Sequence, residues 1–117
     1  MSMKATVRHV DSVTIVDVSG RITLGEGCTQ LRELIREQLG KGNKNVLLNL
    51  GDVSYIDSSG IGELVSSYTA VSNQGGSLKL LNLTKKVQDL LQITKLYTIF
   101  DVHDDEAKAI SSFSASA

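Results

Sequence analysis

Residues 46–62 read VLLNLGDVSYIDSSGIG, and this stretch decides the fold. Its first part, Val46–Leu50, is a short apolar run bounded by turn residues, which predicts a buried parallel strand. Asp57 and Ser58 are favourable N-cap residues, and they predict a helix from about Ser59 to Asn73. The apolar face of that helix carries Ile61, Leu64, Val65, Tyr68 and Val71. A strand followed by a helix is the repeating unit of an α/β sheet.

The residues before this stretch predict a hairpin and a helix. Weak alternation over residues 4–10 and the β-branched run Val13–Val18 predict two strands joined by the turn Asp11-Ser12. A loop over residues 21–27 follows. Apolar residues then recur at helical spacing at Leu31, Leu34, Ile35 and Leu39, and this helix stops at Gly40-Lys41-Gly42-Asn43.

The residues after this stretch predict two more strands, each followed by a helix. Leu78–Leu81 is a strand, and Thr84 caps a helix that carries Val87, Leu90 and Leu91. Thr98–Val102 is the last strand, and Asp104 or Asp105 caps a final helix. The predicted order is therefore β-β-α-β-α-β-α-β-α.

This order predicts a single α/β domain over residues 1–113, with a disordered tail at 114–117. The sheet is mixed and mostly parallel, with about five strands and four helices, and the hairpin makes the first strand antiparallel. The crossovers are expected to be right-handed. The sequence leaves the strand order open.

The composition excludes several classes of function. The 117 residues carry 12 basic and 13 acidic side chains, for a net charge of -1, which argues against nucleic acid as a partner. We expect no membrane insertion, because no apolar stretch has transmembrane length. No signal peptide is recognisable. Cys28 is the only cysteine, and these features together favour the cytoplasm.

The turn Asp57-Ser58-Ser59-Gly60 is the candidate functional site. Functional sites in open α/β sheets lie at the carboxyl ends of strands. A helix N-terminus tolerates negative charge, so a phosphate on Ser58 is compatible with the helix, and Ser58 is expected at the cap itself. Gly60 and Gly62 have no side chains and would let a partner's backbone approach. On the residues alone, a simple helix cap is the preferred interpretation of Asp57 and Ser58.

Residues 49–62 resemble the signature of the STAS domain family, especially its anti-sigma factor antagonists. Residues 16–22 and 75–80 resemble the flanking strands of that family. The resemblance implies a partner switch, in which the unphosphorylated protein binds an anti-sigma factor that is also a serine kinase. The kinase then phosphorylates the serine after the signature Asp, here Ser58, and a metal-dependent serine phosphatase resets the protein.

The predicted partner-binding residues are Asp57, Ser59, Gly60, Ile61, Gly62, Glu63 and Thr23. Glu63 is expected on the exposed face of the helix. Thr23 stands where many antagonists carry the Asp of a Gly-x-x-Asp pattern, which affects the identity of the partner more than the fold.

Two other functions stay open. STAS-like domains also serve as binding subunits of stress-signalling and lipid-transport assemblies or accompany anion transporters. A small hydrolase using Asp57 or Ser58 is the second alternative, although Ile56 breaks the Gly-x-Ser-x-Gly pattern and only a spatially converging His9 or His103 could act as base. We therefore expect a protein that is not an enzyme.

No cofactor and no metal site are expected, because no cluster of Cys, His or acidic residues has ligand spacing. His9 and His103 are interpreted as surface residues. Cys28 lies near a helix start, where a thiol pKa can fall, but a small, partly buried residue is the preferred interpretation.

Overall fold

The computed structural model describes residues 3–115, and within them nine elements follow one another in the predicted order. The strands are β1 (Lys4–Val10), β2 (Val13–Ile22), β3 (Asn45–Ile56), β4 (Ser77–Leu81) and β5 (Asp101–His103). The helices are α1 (Glu26–Gly40), α2 (Ser58–Asn73), α3 (Lys85–Ile93) and α4 (Glu106–Ala115).

The five strands form one sheet in the order β1-β2-β3-β4-β5. β1 pairs with β2 antiparallel through the turn at Asp11, and each of the other neighbouring pairs is parallel. The predicted mixed, mostly parallel sheet with four helices is therefore confirmed.

The two faces of the sheet are covered differently. α1, α2 and α3 pack on one face, where the larger core includes Leu31, Leu64 and Leu91. α4 packs on the other face, where Ala109 and Phe113 meet a smaller cluster from β2, β3 and β4. Alternating side chains of the central strands supply both cores, which explains their continuous apolar sequences.

β2 and β3 are longer than predicted, and this extension carries the site. Both predictions, which ended these strands at Val18 and Leu50, were wrong. The β2–β3 pairing has irregular register between Asp17 and Arg21, which interrupts the alternation in the sequence. β4 pairs with β3 only as far as Asn49, whereas β2 follows β3 to Ile56. The ends of β2 and β3 therefore extend beyond β4 as a two-stranded ribbon.

Three other boundaries differ from the predictions. α1 begins at Glu26, inside the predicted loop. β5 covers Asp101–His103 instead of Thr98–Val102, because the backbone before it forms a turn in which the Ile99 N–H donates to the Leu96 carbonyl. Helix α4 includes Ser114 and Ala115, where a disordered tail was expected, and residues 116 and 117 of that tail lie outside the described residues.

Thr84 and Asp105 cap α3 and α4 as predicted, since their side chains accept hydrogen bonds from the N–H groups of Val87 and Lys108.

Over residues 3–115, none of the helices has the length and apolar character needed to span a bilayer.

Candidate functional site

The carboxyl ends of β2 and β3 lie side by side, and the helices α1 and α2 begin just beyond them. Both helix starts pack closely against β2, and each has a glycine where a side chain would clash. A Cβ on Gly27 would lie 2.8 Å from the Arg21 carbonyl oxygen, and a Cβ on Gly60 would overlap the Ile22 carbonyl oxygen. The first turns of both helices therefore pack directly on the end of β2.

The Asp57 side chain joins the two helix starts. One carboxylate oxygen accepts the Gly60 N–H at 2.9 Å, which makes Asp57 the N-cap of α2. The other accepts the Leu24 N–H at 3.3 Å. Asp57 thus caps α2 and fixes the loop between β2 and α1 with the same side chain.

Ser58 is the first residue of α2 and is exposed, whereas Ser59 is half-buried. The expectation that Ser58 lies at the cap was wrong, because Asp57 takes that position. An exposed hydroxyl at the first helical residue is accessible to a partner, and it lies at the positive end of the helix dipole.

Two of the predicted contact residues at the start of α2, Gly60 and Ile61, face the interior. Ile61 is 2% exposed and belongs to the larger core. Gly60 is buried against Ile22 and Ile56, so its missing side chain serves internal packing and not the approach of a partner. Gly62 is exposed, and a Cβ there would meet nothing within 4 Å.

Glu63 is also buried, so its predicted place on the exposed face was wrong. Its carboxylate accepts two hydrogen bonds from the Arg32 guanidinium of α1, at 2.9 and 3.2 Å. A buried carboxylate needs such a partner. The pair therefore joins α1 to α2 behind the site.

Cys28 is buried, more fully than the partly buried position that was expected. Burial raises the pKa of its thiol, and the negative charges of Glu63 and Asp57 raise it further. The helix start therefore does not activate this thiol.

The loop between β2 and α1 brings Thr23 and Leu24 to the site. Thr23 is half-buried, and its carbonyl accepts the Cys28 N–H at 3.2 Å. Leu24 is 78% exposed. Leu24 was not among the predicted contact residues, although an apolar residue in a loop with Gly25 and Gly27 was a usable signal.

Two cations flank Tyr55 at the end of β3. The Arg21 guanidinium carbon lies 4.6 Å from the ring centroid, and the Lys86 ammonium lies 4.7 Å from it. Such contacts hold the cations in place without removing their charge. No sequence pattern indicated this group, because its members come from β2, β3 and α3.

Both histidines contact side chains other than Ser58. His9 contacts Thr14 at the start of β2, the end of that strand opposite to the site. His103 lies half-buried rather than on the surface, and its Nε2 is 3.0 Å from the Asp101 carboxylate and 3.4 Å from the Ser112 hydroxyl. In a catalytic triad the carboxylate and the hydroxyl contact different ring nitrogens of the histidine. Asp101, His103 and Ser112 therefore do not have the geometry of a triad. In the described part of the chain, no cluster of three or more His, Cys, Asp or Glu side chains could hold a metal ion.

Comparison with known proteins identifies relatives along nearly the whole chain. The STAS domain model matches residues 4–109. The anti-sigma-B factor antagonist of Bacillus subtilis is 32% identical over 102 residues, which cover 87% of this chain and 92% of that protein.

Two solved structures of the anti-sigma factor antagonist SpoIIAA share the fold. The structure of its unphosphorylated form aligns with a TM-score of 0.70 at 19% identity, and the alignment covers 93% of this chain and 96% of that chain. Its phosphorylated form, from Bacillus, has a TM-score of 0.73 at 20% identity, with 93% and 98% covered.

Proposed function

Because the chain belongs to the STAS domain family, we propose that it is an anti-sigma factor antagonist switched by phosphorylation of Ser58. In this proposal the unphosphorylated form binds an anti-sigma factor that is also a serine kinase, and the sigma factor is set free. Phosphorylation of Ser58 ends the binding, and a metal-dependent serine phosphatase restores it. The protein acts in the cytoplasm as a binding partner and catalyses no reaction.

The position of Ser58 carries the proposal. Its side chain is exposed at the first residue of α2, while the neighbouring Asp57 carboxylate is held by two backbone N–H groups. A kinase can therefore reach Ser58 without opening the domain. Ser59, one residue later, is half-buried, so the structure favours Ser58 as the acceptor.

Phosphate at this position acts on the interface and not on the fold. It adds about -1.5 to -2 charges at neutral pH. The helix N-terminus tolerates that charge, and Asp57 adds to it locally. A partner docked over Ser58 then meets a bulky dianion at the centre of its contact, where a few interactions dominate affinity.

The exposed part of the site is the contact surface in this proposal. It comprises Ser58, Gly62, the accessible part of Ser59, and the loop residues Thr23 and Leu24. Gly60, Ile61 and Glu63 support that surface from inside. Thr23 presents a hydroxyl in place of a carboxylate, so we expect a partner that does not require a negative charge there.

Binding measurements with charge variants test the proposal. Each serine-kinase anti-sigma factor from the same genome is titrated with wild type, Ser58→Ala and Ser58→Glu. Ser111→Glu is the matched control, because Ser111 is an exposed serine on α4, at the other face of the sheet.

Wild type, Ser58→Ala and Ser111→Glu are expected to bind one of these kinases with similar affinity, and Ser58→Glu at least about tenfold more weakly. Equal affinity of Ser58→Glu and wild type would contradict the switch. Co-purification with a transporter ATPase and no kinase would favour the lipid-transport alternative, and ester hydrolysis lost in Ser58→Ala would favour the hydrolase.

A further inference from the structure

Leu24 is an exposed apolar side chain on an ordered loop. Among the described residues with large apolar side chains it has the highest exposed fraction, 78%, followed by Ile93 with 75%. A single exposed leucine is common on protein surfaces. The position and the backbone of Leu24 distinguish it from such a residue.

The backbone around Leu24 is fixed on both sides. Its own N–H donates to Asp57, and the preceding Thr23 carbonyl accepts the Cys28 N–H at 3.2 Å. The following Gly25 has φ of +96°, a conformation that favours glycine, and its carbonyl accepts the Thr29 N–H at 3.0 Å. The loop therefore presents Leu24 in one place before any partner arrives.

A fixed apolar side chain is a favourable anchor for binding. It buries apolar area in the complex, and little loop entropy is lost because the backbone is already ordered. A Cβ on Gly25 would meet nothing within 4 Å, so the space beside Leu24 is open to a partner.

The anchor and the phosphorylation position share one support. The Asp57 carboxylate that holds the Leu24 N–H belongs to the residue directly before Ser58. Leu24 and Ser58 are thus presented by the same edge of the sheet. A partner that covers Ser58 meets Leu24 on the same surface.

We infer that Leu24 is the apolar anchor of the interface and inserts into an apolar pocket on the anti-sigma factor kinase. This inference rests on the proposed function. A phosphate on Ser58 would then place a charge beside the buried Leu24 side chain in the complex. Burying that charge is costly, so the partner is released.

The test compares Leu24→Ala with Ile93→Ala, both titrated against the cognate kinase. Ile93 is the matched control, because its side chain is exposed to a similar extent. It is the last residue of α3, and the other end of that helix is the one near the site, where Lys86 contacts Tyr55. Urea unfolding checks that both variants remain as stable as wild type, as expected for exposed side chains. Leu24→Met keeps an apolar side chain of similar volume.

We expect Leu24→Ala to raise the dissociation constant about 30-fold, the size of a hot-spot effect. Ile93→Ala and Leu24→Met should bind like wild type. If wild type binds the kinase and Leu24→Ala binds equally well, the anchor is wrong and the proposed function stands. If wild type binds no serine kinase, the proposed function fails and the anchor with it.

Discussion

The first two turns of α2 have an outward side and an inward side, and the same short sequence builds both. Ser58 and Gly62, four residues apart, lie on the outward side and are exposed. Gly60, Ile61 and Glu63 lie on the inward side and are buried. Neighbouring residues of one signature therefore have different tasks: the inward residues hold the helix in place, and the outward residues are available to a partner.

The largest expected effect separates the two glycines. Gly60→Ala places a Cβ against the Ile22 carbonyl oxygen and 2.6 Å from Ile56 Cγ1. Because that backbone cannot move without shifting β2, we expect a loss of about 3 kcal/mol in the free energy of unfolding, measured by urea titration.

Gly62→Ala is the control for this prediction. Alanine has open space there, and in a helix it is favoured over glycine, so a gain of about 0.5–1 kcal/mol is expected. Similar losses at both positions would remove the distinction between the inward and outward sides.

The next effect concerns the inward ion pair. Arg32→Ala leaves the buried Glu63 carboxylate without its partner, and we expect a loss in the free energy of unfolding that is smaller than the loss from Gly60→Ala. The reason is the desolvation of an unpaired charge, reduced because Arg32 itself is about half exposed.

The double variant Arg32→Ala with Glu63→Gln sharpens this prediction. Removing the charge on Glu63 should recover part of the loss, since a neutral amide is less costly to bury. If Arg32→Ala alone is as stable as wild type, Glu63 does not need the pair, and its inward role is incorrect.

A smaller effect tests the residue that joins both sides. Asp57→Ala removes the cap of α2 and the acceptor for the Leu24 N–H, whereas Thr84→Ala removes only the cap of α3. A lost cap costs about 1 kcal/mol. Asp57→Ala should cost more than Thr84→Ala and should also accelerate amide hydrogen exchange at Leu24. An unchanged exchange rate would show that Asp57 does not fix the loop.

The smallest effect lies on the outward side. Ser58→Ala should change the free energy of unfolding by less than about 0.5 kcal/mol, because Asp57 and not Ser58 caps the helix. Ser58→Glu should gain a few tenths of a kcal/mol from the helix dipole, a gain that salt reduces. A loss of about 1 kcal/mol in Ser58→Ala would instead assign Ser58 the role of a cap.

The sequence predicted the order of the elements because periodicity and caps are local. Val46–Leu50 and the apolar face of α2 are examples, and Thr84 and Asp105 capped their helices as expected. The ends of β2 and β3 could not be predicted, because their irregular register follows from pairing between distant residues.

The site was predicted in part for the same reason. The turn before α2 is a local feature, and Ser58 was singled out within it, although at the cap and not at the first helical residue. The direction of Glu63 depends on Arg32 of α1, and the support of Leu24 depends on Asp57, 33 residues away. Such contacts are decided by tertiary packing, which no short pattern contains.

Mapping the phosphate tests the central claim most directly. Wild type, Ser58→Ala and Ser59→Ala are incubated with the cognate kinase and ATP, and the modified residue is located by tandem mass spectrometry. We predict phosphate on Ser58 in wild type and in Ser59→Ala, and none in Ser58→Ala. Phosphate on Ser59, or undiminished phosphorylation of Ser58→Ala, would contradict the account.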